Sequence, residues 1–236
     1  MIRLAIFASG GGTTAQYILR QTLPGGVLNE LVEVRCLIAS RRDIGAIEKF
    51  QTSDFTGTIY VCDKRKHTVE SYKQAILDIL RSEEIDWFGQ YGWLPKMPEE
   101  VISAFQGINQ HPAAVPHFGG KGMYSRAPHK AVINFARNVE RQICTVATAQ
   151  LVAPEYDEGG ILAEVPLLVN PNWTAEQLRD QLLPLEWQCQ VLALLRIAAF
   201  GGATPLSVRS VFELQPGEEE LLEAAKAAAI TAYPYG

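Results

Sequence analysis

Ile2-Arg3-Leu4-Ala5-Ile6-Phe7-Ala8-Ser9-Gly10-Gly11-Gly12-Thr13-Thr14 is the stretch on which the fold is decided. A run of apolar residues without alternation reads as a strand buried on both faces, the kind found in parallel sheets. It leads directly into a glycine turn and then into helix-like sequence over residues 14–21. Glycines let the backbone turn sharply and bring N–H groups up to a ligand, and the start of a helix adds positive dipole. An anion such as phosphate is the natural occupant of such a loop. Thr13 or Thr14 can cap the helix or donate a hydroxyl to a phosphate oxygen. A tight turn without a ligand is open to the same residues. So is dinucleotide binding, because Gly10, Gly12 and Ala15 fit the G-x-G-x-x-A spacing and Ser40-Arg41-Arg42 could hold an NADP 2′-phosphate. That reading makes a reductase and leaves the middle of the sequence unexplained.

Outward from this stretch the alternation repeats. Strands are predicted over 32–39, 57–61, 85–91 and 107–109, with helices over 44–50, 69–81 and 98–105. Short apolar runs separated by helices indicate an α/β fold: a Rossmann-like, mostly parallel sheet flanked by helices. The second half changes character. A helix is expected over 128–137, then strands over 143–152 and 160–169 whose short connection suits a hairpin-like return, an antiparallel addition. A long helix follows from about 172 to 200, then a possible strand over 207–214 and a helix over 217–232. Residues 1–204 read as one catalytic domain, with 205–236 an extension packed on it.

Composition narrows the function class. With 236 residues, 47% of them apolar and a net charge of −5, the chain has an ordinary globular balance. Its charge offers no argument for nucleic acid or an anionic membrane as partner. The cysteines (Cys36, Cys62, Cys144, Cys189) are far apart and read as small buried hydrophobes in a reducing compartment. No uninterrupted run of about 18 apolar residues suggests a membrane span, and the first residues are too short for a secretory leader. A cytoplasmic protein, monomer or homodimer, is expected.

Chemistry concentrates at Ile108-Asn109-Gln110-His111-Pro112. Side chains two apart on a strand share a face, so Asn109 and His111 point together, and Pro112 ends the strand. In open α/β sheets ligands bind at the carboxyl ends of strands. An amide beside an imidazole suits a developing oxyanion, with the nucleophile supplied by a substrate amine. Asp157, in the turn Asp157-Glu158-Gly159-Gly160, would be the third member: a carboxylate beside an imidazole favours its charged form and can accept a proton. A polar strand end and a turn aspartate account for the same residues without catalysis. His67, after Lys64-Arg65-Lys66, reads as a loop or cap residue. His111, His117 and His129 match no compact zinc spacing, so no metal is expected.

Together these segments resemble the folate-dependent formyltransferase family. The matching stretches are residues 4–14, Ile108-Asn109-Gln110-His111-Pro112-Ala113-Ala114-Val115-Pro116, Phe118-Gly119-Gly120-Lys121-Gly122-Met123-Tyr124 with His129 and Val132, and Tyr156-Asp157-Glu158-Gly159-Gly160-Ile161-Leu162, with similarity continuing through Glu186. The resemblance is strongest to the branch acting in purine synthesis. It implies formyl transfer from 10-formyltetrahydrofolate to the primary amine of glycinamide ribonucleotide, with Asn109, His111 and Asp157 catalytic. It puts the acceptor's phosphate at Gly11, Gly12, Thr13 and Thr14 and its ribose near Glu186. It builds the pterin pocket from Tyr91, Gly92, Trp93 and Leu94 and from Ala153, Pro154, Glu155 and Tyr156. Thr14, Val69, Gln110, Gln150 and Trp187 depart from the family pattern; Gln150 stands where a histidine is usual. The same trio would serve an amino-sugar N-formyltransferase or a formyltetrahydrofolate hydrolase, and a non-catalytic folate- or nucleotide-binding relative is the reading outside enzymology.

Overall fold

The opening run is strand β1 (Ile2–Ala8), with Leu4 to Ala8 fully buried. The computed structural model describes residues 1–202 and 210–234. Within these the chain divides into two units, residues 1–110 with 191–202 and residues 111–190 with 210–234.

In the first unit β1 is followed by α1 (Thr13–Thr22), β2 (Val32–Ala39), α2 (Gly45–Gln51), β3 (Thr58–Val61), α3 (Val69–Ser82), β4 (Trp87–Gln90), α4 (Glu99–Ala104) and β5 (Gln106–His111). The strands run in the order β3-β2-β1-β4-β5, every neighbouring pair parallel. The chain steps from β1 to β2 on one side, and β4 lies on the other. That reversal opens a crevice at the carboxyl ends of β1 and β4, where α/β sheets bind ligands. Each helix buries one stripe, Ala15, Ile18 and Leu19 on α1 and Tyr72, Ile76, Leu77 and Leu80 on α3. Thr68 and Ser71 form a reciprocal capping box that starts α3.

The second unit holds α5 (Ala127–Asn138), the antiparallel pair β6 (Cys144–Leu151) and β7 (Ile161–Leu168), the first part of α6 (Ala175–Phe200) and α7 (Glu219–Ala232). The expected hairpin-like return is present. Gly159 makes it possible, because a Cβ there would fall 1.7 Å from the Leu151 carbonyl oxygen. Phe118, Phe135 and Phe212 meet edge-on in the core, with ring centroids 5.0 to 5.8 Å apart.

Several boundaries differ from the sequence reading. β4 begins at Trp87 rather than residue 85, and β5 runs on through Gln110 and His111 although both are polar. A short 3-10 turn, Lys64–Lys66, is held by the Asp63 carboxylate accepting from the Arg65 N–H. Of the strand expected over 207–214, residues 207–209 lie outside the described residues and 210–214 form none. Phe212 turns into the core, and the Val211 N–H is taken by the Glu164 carboxylate at 3.0 Å. By length and composition α6 is apolar enough to cross a membrane. Glu186 and Gln190 interrupt its apolar run, and both are buried alongside Leu178, Leu182, Cys189, Ala193 and Leu194 as in a core helix.

Candidate functional site

The glycine loop sits at the carboxyl end of β1. Gly12 is the N-cap of α1 in the left-handed region (φ 68°), and no side chain caps the helix. The expectation that Thr13 or Thr14 caps it is therefore corrected: both lie inside the first turn, Thr13 exposed and Thr14 buried. The cap needs positive φ, and a Cβ at Gly12 would lie 2.4 Å from Ala46 Cβ, so only glycine fits. The Ala46 N–H donates to the Gly10 carbonyl at 3.1 Å, binding the loop to the start of α2. The loop thus presents the first turn of α1 with its amides and dipole.

The segment after β4 joins this loop. The Ser9 N–H donates to the Gly92 carbonyl at 3.1 Å, and the Leu94 N–H donates to Ser9 Oγ at 3.1 Å. Trp93 packs edge-on against Phe7 at 5.0 Å, and the Tyr91 ring folds over Gly89, where a Cβ would clash at 2.5 Å. Among the described residues neither the Tyr91 hydroxyl nor the Trp93 indole N–H has a hydrogen-bond partner, though both are buried. Burial pushes the Tyr91 hydroxyl pKa up, keeping it a neutral donor. Two unsatisfied buried polar atoms are costly unless something binds them. Leu94 is exposed. Asn109 pairs in register with Gln90 at the same strand ends.

In the second unit the structure brings His111 and Asp157 together. His111 Nδ1 lies 3.4 Å from Asp157 Oδ1, and His111 Nε2 lies 2.9 Å from the Phe118 carbonyl oxygen. A carbonyl cannot donate, so Nε2 carries a proton. Asp157 is itself held twice. Its Oδ2 accepts from the Gly120 N–H at 2.9 Å and its Oδ1 from Gln150 Nε2 at 2.8 Å. Asp157 occupies the left-handed region (φ 60°), unusual for a residue other than glycine and a form of local strain that the surrounding contacts hold. Gly119 abuts it so closely that a Cβ would lie 2.6 Å from Asp157 Cβ. Asn109 precedes His111 by two residues on β5.

These partners were only partly visible in the sequence. Gln150 appears there as a departure from a pattern, and Gly119 and Gly120 as part of a motif without a role. Their signal is spatial: a donor at the end of β6 meets an aspartate seven residues later because the loop leading to β7 turns back on it. Glu186 is buried on α6, and of the loop Ala153-Pro154-Glu155-Tyr156 the last three are exposed. His129 is buried on α5; burial, then the nearby His111 and Arg179, push its pKa down to about 3. It stays neutral and cannot act as an acid. Burial likewise raises the thiols, Cys36 and Cys189 to about 12 and Cys62 to about 11, while Cys144 is half-buried. Among the described residues no group of three or more His, Cys, Asp or Glu could hold a metal ion.

Comparison with known proteins locates this arrangement. Residues 2–194 match the family model described as formyl transferase. Phosphoribosylglycinamide formyltransferase, chloroplastic, of Arabidopsis thaliana is 31% identical over 80% of this chain and 63% of its own length. The chain thus spans about three fifths of the plant relatives it matches. Phosphoribosylglycinamide formyltransferase of Haemophilus influenzae is 22% identical over 82% of this chain and 86% of its own. Among solved structures, phosphoribosylglycinamide formyltransferase from Brucella melitensis superposes with a TM-score of 0.68 at 24% identity, covering 88% of this chain and 99% of that one. At that identity the likeness speaks for the fold, a mostly parallel sheet flanked by helices with an antiparallel pair in the C-terminal half. Since the matched residues carry the glycine loop, the Asn-x-His strand end and the aspartate turn, the chain belongs to the formyl transferase family.

Proposed function

We propose that this protein transfers a formyl group from 10-formyltetrahydrofolate to the primary amine of glycinamide ribonucleotide, a step of purine synthesis. The observation that carries the reading is the His111–Asp157 pair, the histidine buried and the aspartate half-buried, held by the Phe118 carbonyl, Gly120 N–H and Gln150. As the amine adds to the formyl carbon, negative charge gathers on the formyl oxygen, and stabilising it is the role assigned to the Asn109 amide and the His111 imidazole. Nε2 is tied to the Phe118 carbonyl, so His111 meets the reaction through Nδ1, the nitrogen beside Asp157, which donates to the oxyanion when the imidazole carries both protons. Asp157 takes the proton the amine sheds, directly or through a water. The adduct then collapses: the bond between the formyl carbon and the folate nitrogen breaks, the proton taken from the amine passes to that nitrogen, and tetrahydrofolate leaves. The unsatisfied Tyr91 hydroxyl and Trp93 N–H suit a polar heterocycle such as the pterin. The amides at Gly11, Gly12, Thr13 and Thr14 take the acceptor's phosphate, and Glu186 its ribose.

The test is an acceptor screen with 10-formyltetrahydrofolate, following the folate absorbance change. Glycinamide ribonucleotide is expected to turn over, with inorganic phosphate competing. Turnover of an amino sugar in its place, with no effect of phosphate, would overturn the acceptor while leaving the transfer chemistry.

A further inference from the structure

The C-terminal segment 210–234 lies beyond the residues matched by the family model, yet it packs on the turn that frames His111 and Asp157. That turn is Phe118-Gly119-Gly120. Its first residue accepts from His111 Nε2, its second abuts Asp157 Cβ, and its third donates to Asp157 Oδ2. A shift of the turn therefore shifts the pair. The turn's one large side chain, Phe118, is fully buried and meets Phe212 at 5.0 Å, while Phe212 also touches His117 at 5.1 Å and Phe135 at 5.8 Å. Farther along, Gly122 backs onto Ile230 of α7 so closely that a Cβ would lie 3.1 Å from Ile230 Cδ1, and the Tyr124 hydroxyl donates to the Pro234 carbonyl at 3.4 Å. The segment is itself anchored. Arg141 holds Glu218 through two contacts of 2.7 Å and the Glu213 carbonyl at 2.8 Å, and the Tyr233 hydroxyl reaches Glu176 at 3.3 Å.

We infer that Phe212, supported by Ile230, holds the Phe118–Gly120 turn in register with His111 and Asp157, and that Phe212 is the positioning residue. The kinetic side of this rests on the formyl-transfer reading, the structural side does not. If Phe212 only filled the core, its truncation would lower stability and leave the folded enzyme's turnover intact. Positioning predicts more, because misplacing a catalytic group by about 1 Å can cost about 100-fold in rate.

The experiment compares Phe212→Ala, Phe212→Leu and, as an equally buried control on α7, Leu222→Ala. It reads melting temperature, kcat and KM for both substrates, and amide hydrogen exchange over residues 114–124. Phe212→Ala is expected to lower kcat by roughly 10- to 100-fold with KM little changed, and to speed exchange over 114–124. Phe212→Leu should restore most of the rate, and Leu222→Ala should lose stability with kcat within about threefold of the parent. Unchanged kcat and exchange in Phe212→Ala, or an equal kcat loss in Leu222→Ala, overturns the inference. Should Phe212→Ala fail to fold, Ile230→Ala is read by the same criteria. If the parent protein transfers no formyl group, the proposed function falls and the exchange comparison still decides the positioning role.

Discussion

The glycine loop of the first unit and the His111–Asp157 pair of the second, each given a negatively charged partner in the proposed reaction, are made of opposite materials. The loop uses backbone: amides and a helix dipole set by one left-handed glycine, with Thr13 and Thr14 merely riding on the first turn. The pair uses side chains: an imidazole and a carboxylate, each fixed by hydrogen bonds from elsewhere in its unit. The comparison teaches where each is vulnerable. A backbone site fails when a Cβ is added, and a side-chain site fails when one polar atom is exchanged.

The largest effect belongs to the pair. Asp157→Asn keeps the shape of the carboxylate and removes its basicity, and kcat for formyl transfer is expected to drop by at least ~100-fold, as for His111→Ala. Steady-state kinetics checks this, and near-normal turnover in either variant would break the pair's assigned role. Next comes Gly12→Ala, which forces a side chain into the left-handed region and into Ala46. It should destabilise by about 1–3 kcal/mol in thermal unfolding and raise the acceptor KM by ~10-fold or more. Thr13→Ala, by contrast, should change KM by no more than about fivefold, the worth of one hydrogen bond. If the two variants are equally damaged, the loop is not a backbone site.

Gln150→Leu sharpens the side-chain half. It removes the donor to Asp157 Oδ1 without adding charge, and kcat should fall by about tenfold with KM nearly constant. The smallest effect on catalysis belongs to His129, which plays no part in the pair and acts on stability instead. Its folded pKa lies near 3, below the ordinary 6.5, so the unfolded chain binds the extra proton between those values. Its contribution is complete above pH 6.5 and is lost as pH falls, by about 1.4 kcal/mol per pH unit once the unfolded form is protonated. His129→Gln should flatten the acid limb of a stability-against-pH curve by that slope.

Much of this fold was legible because its signals are local. β1 and β2 are read to the residue, since their apolar runs stop at glycine or charge. Pro112 was read as ending the strand that carries Asn109 and His111, and the strand does end at His111, two residues beyond the apolar run over 107–109. That His111 and Asp157 lie together was suggested by residue type and by the family resemblance, and their 3.4 Å approach agrees with it. What was not readable is what holds the pair: Gln150 reaches Asp157 only through the β6–β7 return, and Phe212 reaches Phe118 only after α6 and the tail are in place. The strand expected around Phe212 failed for the same reason, since burial in an aromatic cluster outweighed its β-like pattern. The α1 cap was missed because a left-handed glycine competes with threonine, and only the Ala46 contact decides between them.

The claim at the centre is that His111 and Asp157 act as one unit in formyl transfer. A double-mutant cycle on kcat with 10-formyltetrahydrofolate and glycinamide ribonucleotide tests it directly, using His111→Ala, Asp157→Asn and both together. Groups acting as a unit are strongly non-additive, so the double variant should be about as slow as the slower single one. Losses that multiply, giving a double variant slower by the product of the two, would contradict the account.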